Sequence, residues 1–182
     1  MSEATAHRAV AGARASLGEL PEELDVATVR AALGEVPDPE IPVVSVVDLG
    51  MVEEVDVRAD GIHVMLLPTF VGCPALDVIR SAVEERLRSF GRRVDVRFDY
   101  RVPWMSDRIT PEGHEKLRRS GFAPPAASQP DQPVLVQLGA PVACPNCGSR
   151  RTVLENAFGP TQCRAIYHCT DCRQPFEGFK TI

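Results

Sequence analysis

No stretch of this 182-residue chain approaches the roughly 20 consecutive apolar residues that a membrane helix needs. A basic excess is also missing. Twenty lysines and arginines stand against 25 aspartates and glutamates, a formal net charge of −5, which argues against nucleic acid as the partner of the whole chain. Met1 to Leu20 has no continuous apolar core, so the sequence predicts no secretory leader and a cytoplasmic, reducing setting. Disulfides rarely persist there, and the six cysteines call for another explanation. There is no Glu-x-x-His pair to build a di-iron centre, and no Gly-x-Gly-x-x-Gly loop to cradle a dinucleotide. No internal repeat is visible beyond two short cysteine knuckles.

What is present suits an ordinary globular chain, with 44% hydrophobic and 25% charged residues. Val26, Val29 and Leu33 recur at helical spacing behind Asp25, a candidate N-cap, and the helix should stop near Gly34. Asp38-Pro39-Glu40-Ile41-Pro42 forbids regular helix and reads as a structured loop, followed by apolar Val43 to Leu49. Met51 to Arg58 and Ile62 to Pro68 flank Asp60-Gly61, a hairpin signal, with the second strand expected to be covered on both faces. Leu76, Ile79, Val83, Leu87 and Phe90 share one face of the strongest helix, which Gly91 closes. Val94, Val96, Phe98 and Tyr100 then alternate with polar residues as a half-buried strand. Thr110-Pro111-Glu112 opens a further helix that ends near Gly121.

The expected fold class is α+β. A small mixed sheet with helices packed on one face is followed by a zinc-ribbon-like β module. The expected organisation is a flexible N-terminus over 1–21, a first domain over 22–122, a Pro- and Ala-rich linker over 123–133, and the cysteine module over 134–182, opening on a short strand at Val134 to Leu138.

Four cysteines carry the clearest chemistry. Cys144-Pro145-Asn146-Cys147 and Cys169-Thr170-Asp171-Cys172 are Cys-x-x-Cys turns separated by 21 residues. A two-residue gap lets both thiolates of a turn reach one ion, so two turns supply a tetrahedral set. Zinc is expected, with rubredoxin-like iron the alternative and unmetallated buried thiols the bland one. All-cysteine sites are closed, so the role is structural, and such ribbons often dock on partners. Within 144–182, five basic residues against three acidic ones are too few for confident nucleic-acid binding. Cys163 is either a further ligand or a free thiol packed under the ribbon, and His168 should point away from the ion.

Cys73 precedes Pro74 at a helix start, which places it at the N-cap, where unpaired N–H groups and the helix dipole would stabilise a thiolate. Asp38, Asp48 and Thr69 are polar loop residues that could converge on it. The functional reading is a reactive thiol or a transient metal ligand. The alternative is a small buried residue capping the helix, and no adjacent histidine supplies a base for nucleophilic catalysis.

Asp38-Pro39-Glu40-Ile41-Pro42 through Asp48-Leu49-Gly50, with Thr69 and Gly72-Cys73-Pro74, resembles the SufT-like iron–sulfur assembly domain over about residues 24 to 102. That domain also occurs in eukaryotic iron–sulfur targeting factors. Further motifs resemble the family of phenylacetyl-CoA epoxidase D subunits: Trp104 through Ser106, Asp107 and Ile109 to Thr110, Gly121-Phe122-Ala123-Pro124-Pro125, Phe158-Gly159 through Cys163 to Cys169, and Pro175 to Lys180. Two positions depart from that pattern, Arg108 for an aromatic and Pro160 for a serine.

The resemblance implies an accessory, non-catalytic component of aerobic phenylacetate catabolism. Such a component would help load iron or an iron–sulfur cluster into the oxygenase or flavin- and cluster-bearing reductase subunit, alongside iron–sulfur assembly proteins. Cys73 would contact the iron or cluster, with Asp38, Glu40, Asp48 and Thr69 nearby, and Cys163 would be an auxiliary beside the zinc site. The alternative is a stoichiometric structural subunit needed during turnover.

Overall fold

The computed structural model describes residues 24–125 and 142–180. The lead-in to residue 23, most of the linker and the strand expected at Val134 to Leu138 lie outside the described residues.

Helix α1 (Val26–Leu33) is capped as its sequence predicts, with the Asp25 carboxylate accepting the Thr28 N–H at 2.7 Å. Its buried face is Val29, Ala32 and Leu33, while Val26 stays 40% exposed at the open first turn. Residues 34–51 then form turns. Prolines 39 and 42 withhold ladder donors, so the apolar run Val43 to Leu49 packs Val44, Val46 and Leu49 into the core without becoming a strand. The Asp38 carboxylate accepts the N–H groups of Glu40 and Ile41, at 2.9 and 2.8 Å, and fixes the loop around the prolines.

Strands β1 (Val52–Arg58) and β2 (Gly61–Leu66) form the predicted hairpin. Helix α2 (Leu76–Arg88) crosses over to β3 (Val94–Phe98), which pairs parallel to β2. The sheet order β1-β2-β3 is therefore mixed, with α1 and α2 packed against it. Ile79, Val83 and Leu87 of α2 meet Ile62, Val64, Leu66 and Val96 in one core. Each such buried side chain is worth about 1.5–3 kcal/mol.

The other face of β2 departs from expectation. His63 and Met65 are only half-buried there, among Glu54, Asp56, Asp95 and Arg97. Both helices lie on one side of the three strands, and among the described residues mostly charged side chains surround the second.

After β3, Trp104 is buried, and its indole N–H donates to the Leu49 carbonyl at 2.8 Å. A 3₁₀ turn (Ser106–Arg108) leads into α3 (Pro111–Arg119), capped by Thr110. Arg108 donates to the Gly50 carbonyl at 3.0 Å and pairs with Glu53 at a bulge in β1. Gly50 has φ +62, and a β-carbon there would collide with the Arg108 carbonyl oxygen, so only glycine fits.

The cysteine module is a second sheet, ordered β4-β7-β6-β5: Phe122–Ala123, Pro175–Phe179, Arg164–Cys169 and Thr152–Asn156. Its parallel edge, β4, comes from the end of the first module. Phe179 packs on Trp104 with ring centroids 5.7 Å apart, and Phe179 and Cys163 belong to the first core.

Asp48 ties the loop to α3. Its carboxylate accepts the Ser45 N–H at 2.7 Å, the Ser45 hydroxyl at 2.9 Å and Lys116 Nζ at 2.8 Å. Burial pushes this carboxyl up, but Lys116 and the two Ser45 donors outweigh it and hold it below the ordinary 3.8. A depressed carboxyl stabilises the fold above its unfolded pKa, and that contribution is lost as pH falls through the folded value. Asp48→Asn should therefore lower unfolding free energy by about 2 kcal/mol at neutral pH, read from denaturant melts. The gap to wild type should close on acidification below about pH 4.

Candidate metal centre and a thiol-lined cavity

The four predicted thiols converge. All four sulfurs lie within 4.8 Å of one another, with 3.6 Å from Cys144 to Cys172 and 3.6 Å from Cys147 to Cys169. A tetrahedron with metal–sulfur bonds near 2.3 Å has edges of about 3.8 Å, so the donor set fits one ion.

Each knuckle turns back on itself in the same way. The Gly148 N–H donates to the Cys144 carbonyl at 2.8 Å, and the Arg173 N–H donates to the Cys169 carbonyl at 2.9 Å. The matching turn residues both have positive φ, +76° at Gly148 and +60° at Arg173. Asp171 in the second knuckle pairs with Ser149 and Arg151 behind the first, clasping the two turns. Tyr167 and Phe176 stack at 5.7 Å beneath the sulfurs, in a small core with Cys144 and Cys169.

The thiols' acidities are pulled apart. The N–H groups of Cys172 and Asp171 outweigh desolvation and help bring Cys169 down to about 7. The Gln174 N–H lowers Cys172, but desolvation and the three neighbouring thiols push it up to about 12. Once one thiolate forms, the others resist ionising until a cation neutralises the cluster.

Cys73 sits differently from expectation. Helix α2 takes Ala75 as its N-cap, and Cys73 lies two residues earlier, its N–H donating to the Phe70 carbonyl at 3.1 Å. Burial pushes the thiol up, the Ala75 N–H counters only partly, and the charges of Glu40 and Asp38 raise it further. The N-cap position predicted for Cys73 is therefore not met, and its thiol is shifted up, away from the thiolate.

Cys73 lines a cavity of about 150 Å³ with Glu40, Phe70, Pro74, Pro160, Thr161, Gln162 and Cys163. Asp38 is close enough for its charge to act on both thiols. Asp48 is held instead by Ser45 and Lys116, and Thr69 is not among the lining residues.

Cys163 is not beside the four-thiol cluster. It precedes β6, whose far end is Cys169, and six residues of strand span about 20 Å. Arg164, which the sequence pattern did not single out, is 7% exposed at this junction. It donates to Thr161 and Glu177 at 2.8 Å each, and lies over the Phe122 ring. Its only sequence signal was its place in the motif around Cys163.

Cys169→Ser should abolish binding of one metal ion per chain and dissolve the Tyr167–Phe176 core, since metal supplies much of the folding free energy of so small a module. Elemental analysis with limited proteolysis of residues 142–180 checks this. Arg173→Gly should keep the ion and raise the melting temperature, because relieving a non-glycine left-handed residue is worth about 1 kcal/mol.

Comparison with known proteins adds to this geometry. Residues 26–98 match the family described as "Iron-sulfur cluster assembly protein", and residues 128–180 match "PaaD zinc beta ribbon domain". An Fe-S protein maturation auxiliary factor of Porphyromonas gingivalis is 39% identical over 85 residues, 44% of this chain and 78% of that one. A domain of unknown function from Bacillus anthracis is 26% identical, covering 50% of this chain and 89% of its own, with a TM-score of 0.47. A conserved hypothetical protein from Thermotoga maritima is 28% identical, covering 54% and 98%, also at 0.47. A protein of Escherichia coli strain K12 assigned as the D subunit of 1,2-phenylacetyl-CoA epoxidase is 39% identical over 146 residues, which is 80% of this chain and 86% of that one. With both modules in order and most of that relative's length matched, the chain belongs to the family of phenylacetyl-CoA epoxidase D subunits.

Proposed function

We propose that this chain is an accessory factor that helps load iron or an iron–sulfur cluster into the oxygenase or reductase subunit of phenylacetyl-CoA epoxidase. Iron–sulfur assembly proteins are the proposed donors, and the cytoplasm is the proposed setting. The carrying observation is the placement of Cys73 in a cavity with Glu40, within a module that matches iron–sulfur cluster assembly proteins.

The site suits handling more than catalysis. Its thiol pKa is raised, which makes it a poor nucleophile, and among the described residues no histidine lines the cavity to act as a base. Iron binding would displace the thiol proton to solvent, and release to a client would restore it. Asp38 acts by shaping the loop that presents Glu40. Asp48 supports the fold around the site, and Thr69 does not line it.

We assign zinc to the four-cysteine ribbon, on its all-thiolate donor set and the match to a zinc ribbon family. The ribbon would serve as the docking element, and the family makes the other epoxidase subunits its natural partners. No helix of the described residues is long and apolar enough to cross a membrane.

The test is to produce the remaining epoxidase subunits with wild-type protein, with Cys73→Ser, or with neither. Subunits made without it should be iron-poor and inactive, and late addition should not rescue them. Cys73→Ser should behave like omission while keeping its own fold and ribbon metal. Full client iron with Cys73→Ser contradicts the thiol role. Normal iron with rescue by late addition favours a working subunit of the oxygenase instead.

A further inference from the structure

Cys163 is the one buried thiol that the ribbon does not use. It is 8% exposed, its Sγ lies 3.1 Å from the Thr161 hydroxyl, and its side chain packs with the first core. A spare buried cysteine in the turn before a strand could be a small apolar filler. Three observations point elsewhere.

First, Cys163 lines the same cavity as Cys73 and Glu40, although 90 residues separate the two cysteines. Second, the carboxylates of Glu40 and Asp38 act on both thiols, so donors from two modules surround one space. An apolar filler site would not place a carboxylate beside it. Third, the junction that presents Cys163 is built with care. The Lys180 N–H donates to the Cys163 carbonyl at 2.9 Å, and Lys180 Nζ donates to the Gln162 carbonyl at 2.7 Å. Arg164 ties the same turn to Thr161 and Glu177.

We infer that Cys163 is a second ligand of the iron-handling site, which Cys73 and Glu40 complete across the seam between the two modules. This rests on the function proposed above. Two thiols and a carboxylate form a mixed sulfur–oxygen set that suits iron. Each thiol gives up its proton to water as its bond to iron forms, and no redox change is needed. Among the described residues only the ribbon thiols converge as a set within 4.8 Å. The cavity donors do not converge in this way, although they line one space. The open arrangement matches a cargo site, as the closed ribbon matches a permanent one.

The experiment uses the full chain with its ribbon metal in place, titrated anaerobically with ferrous iron alone, and in a second arm with iron plus sulfide. Wild type should bind iron with thiolate-to-iron absorption. A chromophore in the first arm identifies a single ion, and one that needs sulfide identifies a cluster. Cys163→Ala and the volume-preserving Cys163→Ser should each weaken binding by at least about tenfold, as should Cys73→Ser, all retaining the ribbon metal. In wild type, iron should also protect both Cys73 and Cys163 from alkylation, read peptide by peptide by mass spectrometry.

Iron binding that survives the Cys163 variants within tenfold, or protection of Cys73 alone, overturns this inference and leaves the Cys73 reading standing. Absence of iron binding by wild type overturns the inference as well. Failure of the broader reading shows separately, in undiminished client loading by Cys73→Ser.

Discussion

The seam between the two modules is the constraint on which the rest of the structure depends. Trp104 makes it, with its indole N–H on the Leu49 carbonyl and its ring against Phe179 of the last ribbon strand. Strand β4 extends the seam by pairing Phe122 and Ala123 with β7. A small ribbon could otherwise move independently of the first module. Here its final strand shares the first module's core, and that fixes the turn at 159–163 over the Cys73 loop.

The chain thus presents two groups of thiols with opposite design. In the ribbon, four sulfurs are already at tetrahedral spacing, each knuckle offers N–H groups to its thiolates, and Asp171 clasps the turns. Such preorganisation favours tight, lasting binding. At the seam, burial and nearby carboxylates push the thiols' pKa values up, and the donors line a cavity without converging. A site that must form and dissolve suits a metal that is passed on. The two groups of thiols stand at opposite ends of β6, about 20 Å apart.

Much of this was legible in the sequence. Both α1 and α3 follow from their caps, Asp25 and Thr110, and the Asp60-Gly61 hairpin follows from turn chemistry. The four ribbon cysteines follow from spacing alone, because a Cys-x-x-Cys turn encodes its geometry locally. What failed was long-range. Periodicity said that β2 would be covered on both faces, but not that both helices would pack on one side of it. Pro74 suggested an N-cap at Cys73, whereas the turn held by the Phe70 carbonyl delays the helix until Leu76. Asp48 read as a site residue, since a polar loop side chain looks the same whether it faces a ligand or Lys116. That Cys73 and Cys163 line one cavity had no local signature, and only the surplus of two cysteines beyond the ribbon's four hinted at it.

The measurement that bears most directly on this account is iron K-edge X-ray absorption of the full chain loaded anaerobically with one equivalent of ferrous iron, its ribbon metal followed at its own edge. A site at the seam gives an iron shell of two sulfurs at about 2.3 Å together with oxygen donors, and leaves the ribbon site unchanged. An all-oxygen shell would contradict it. So would a four-sulfur shell, which would show that the iron had entered the ribbon and that the seam holds no site of its own.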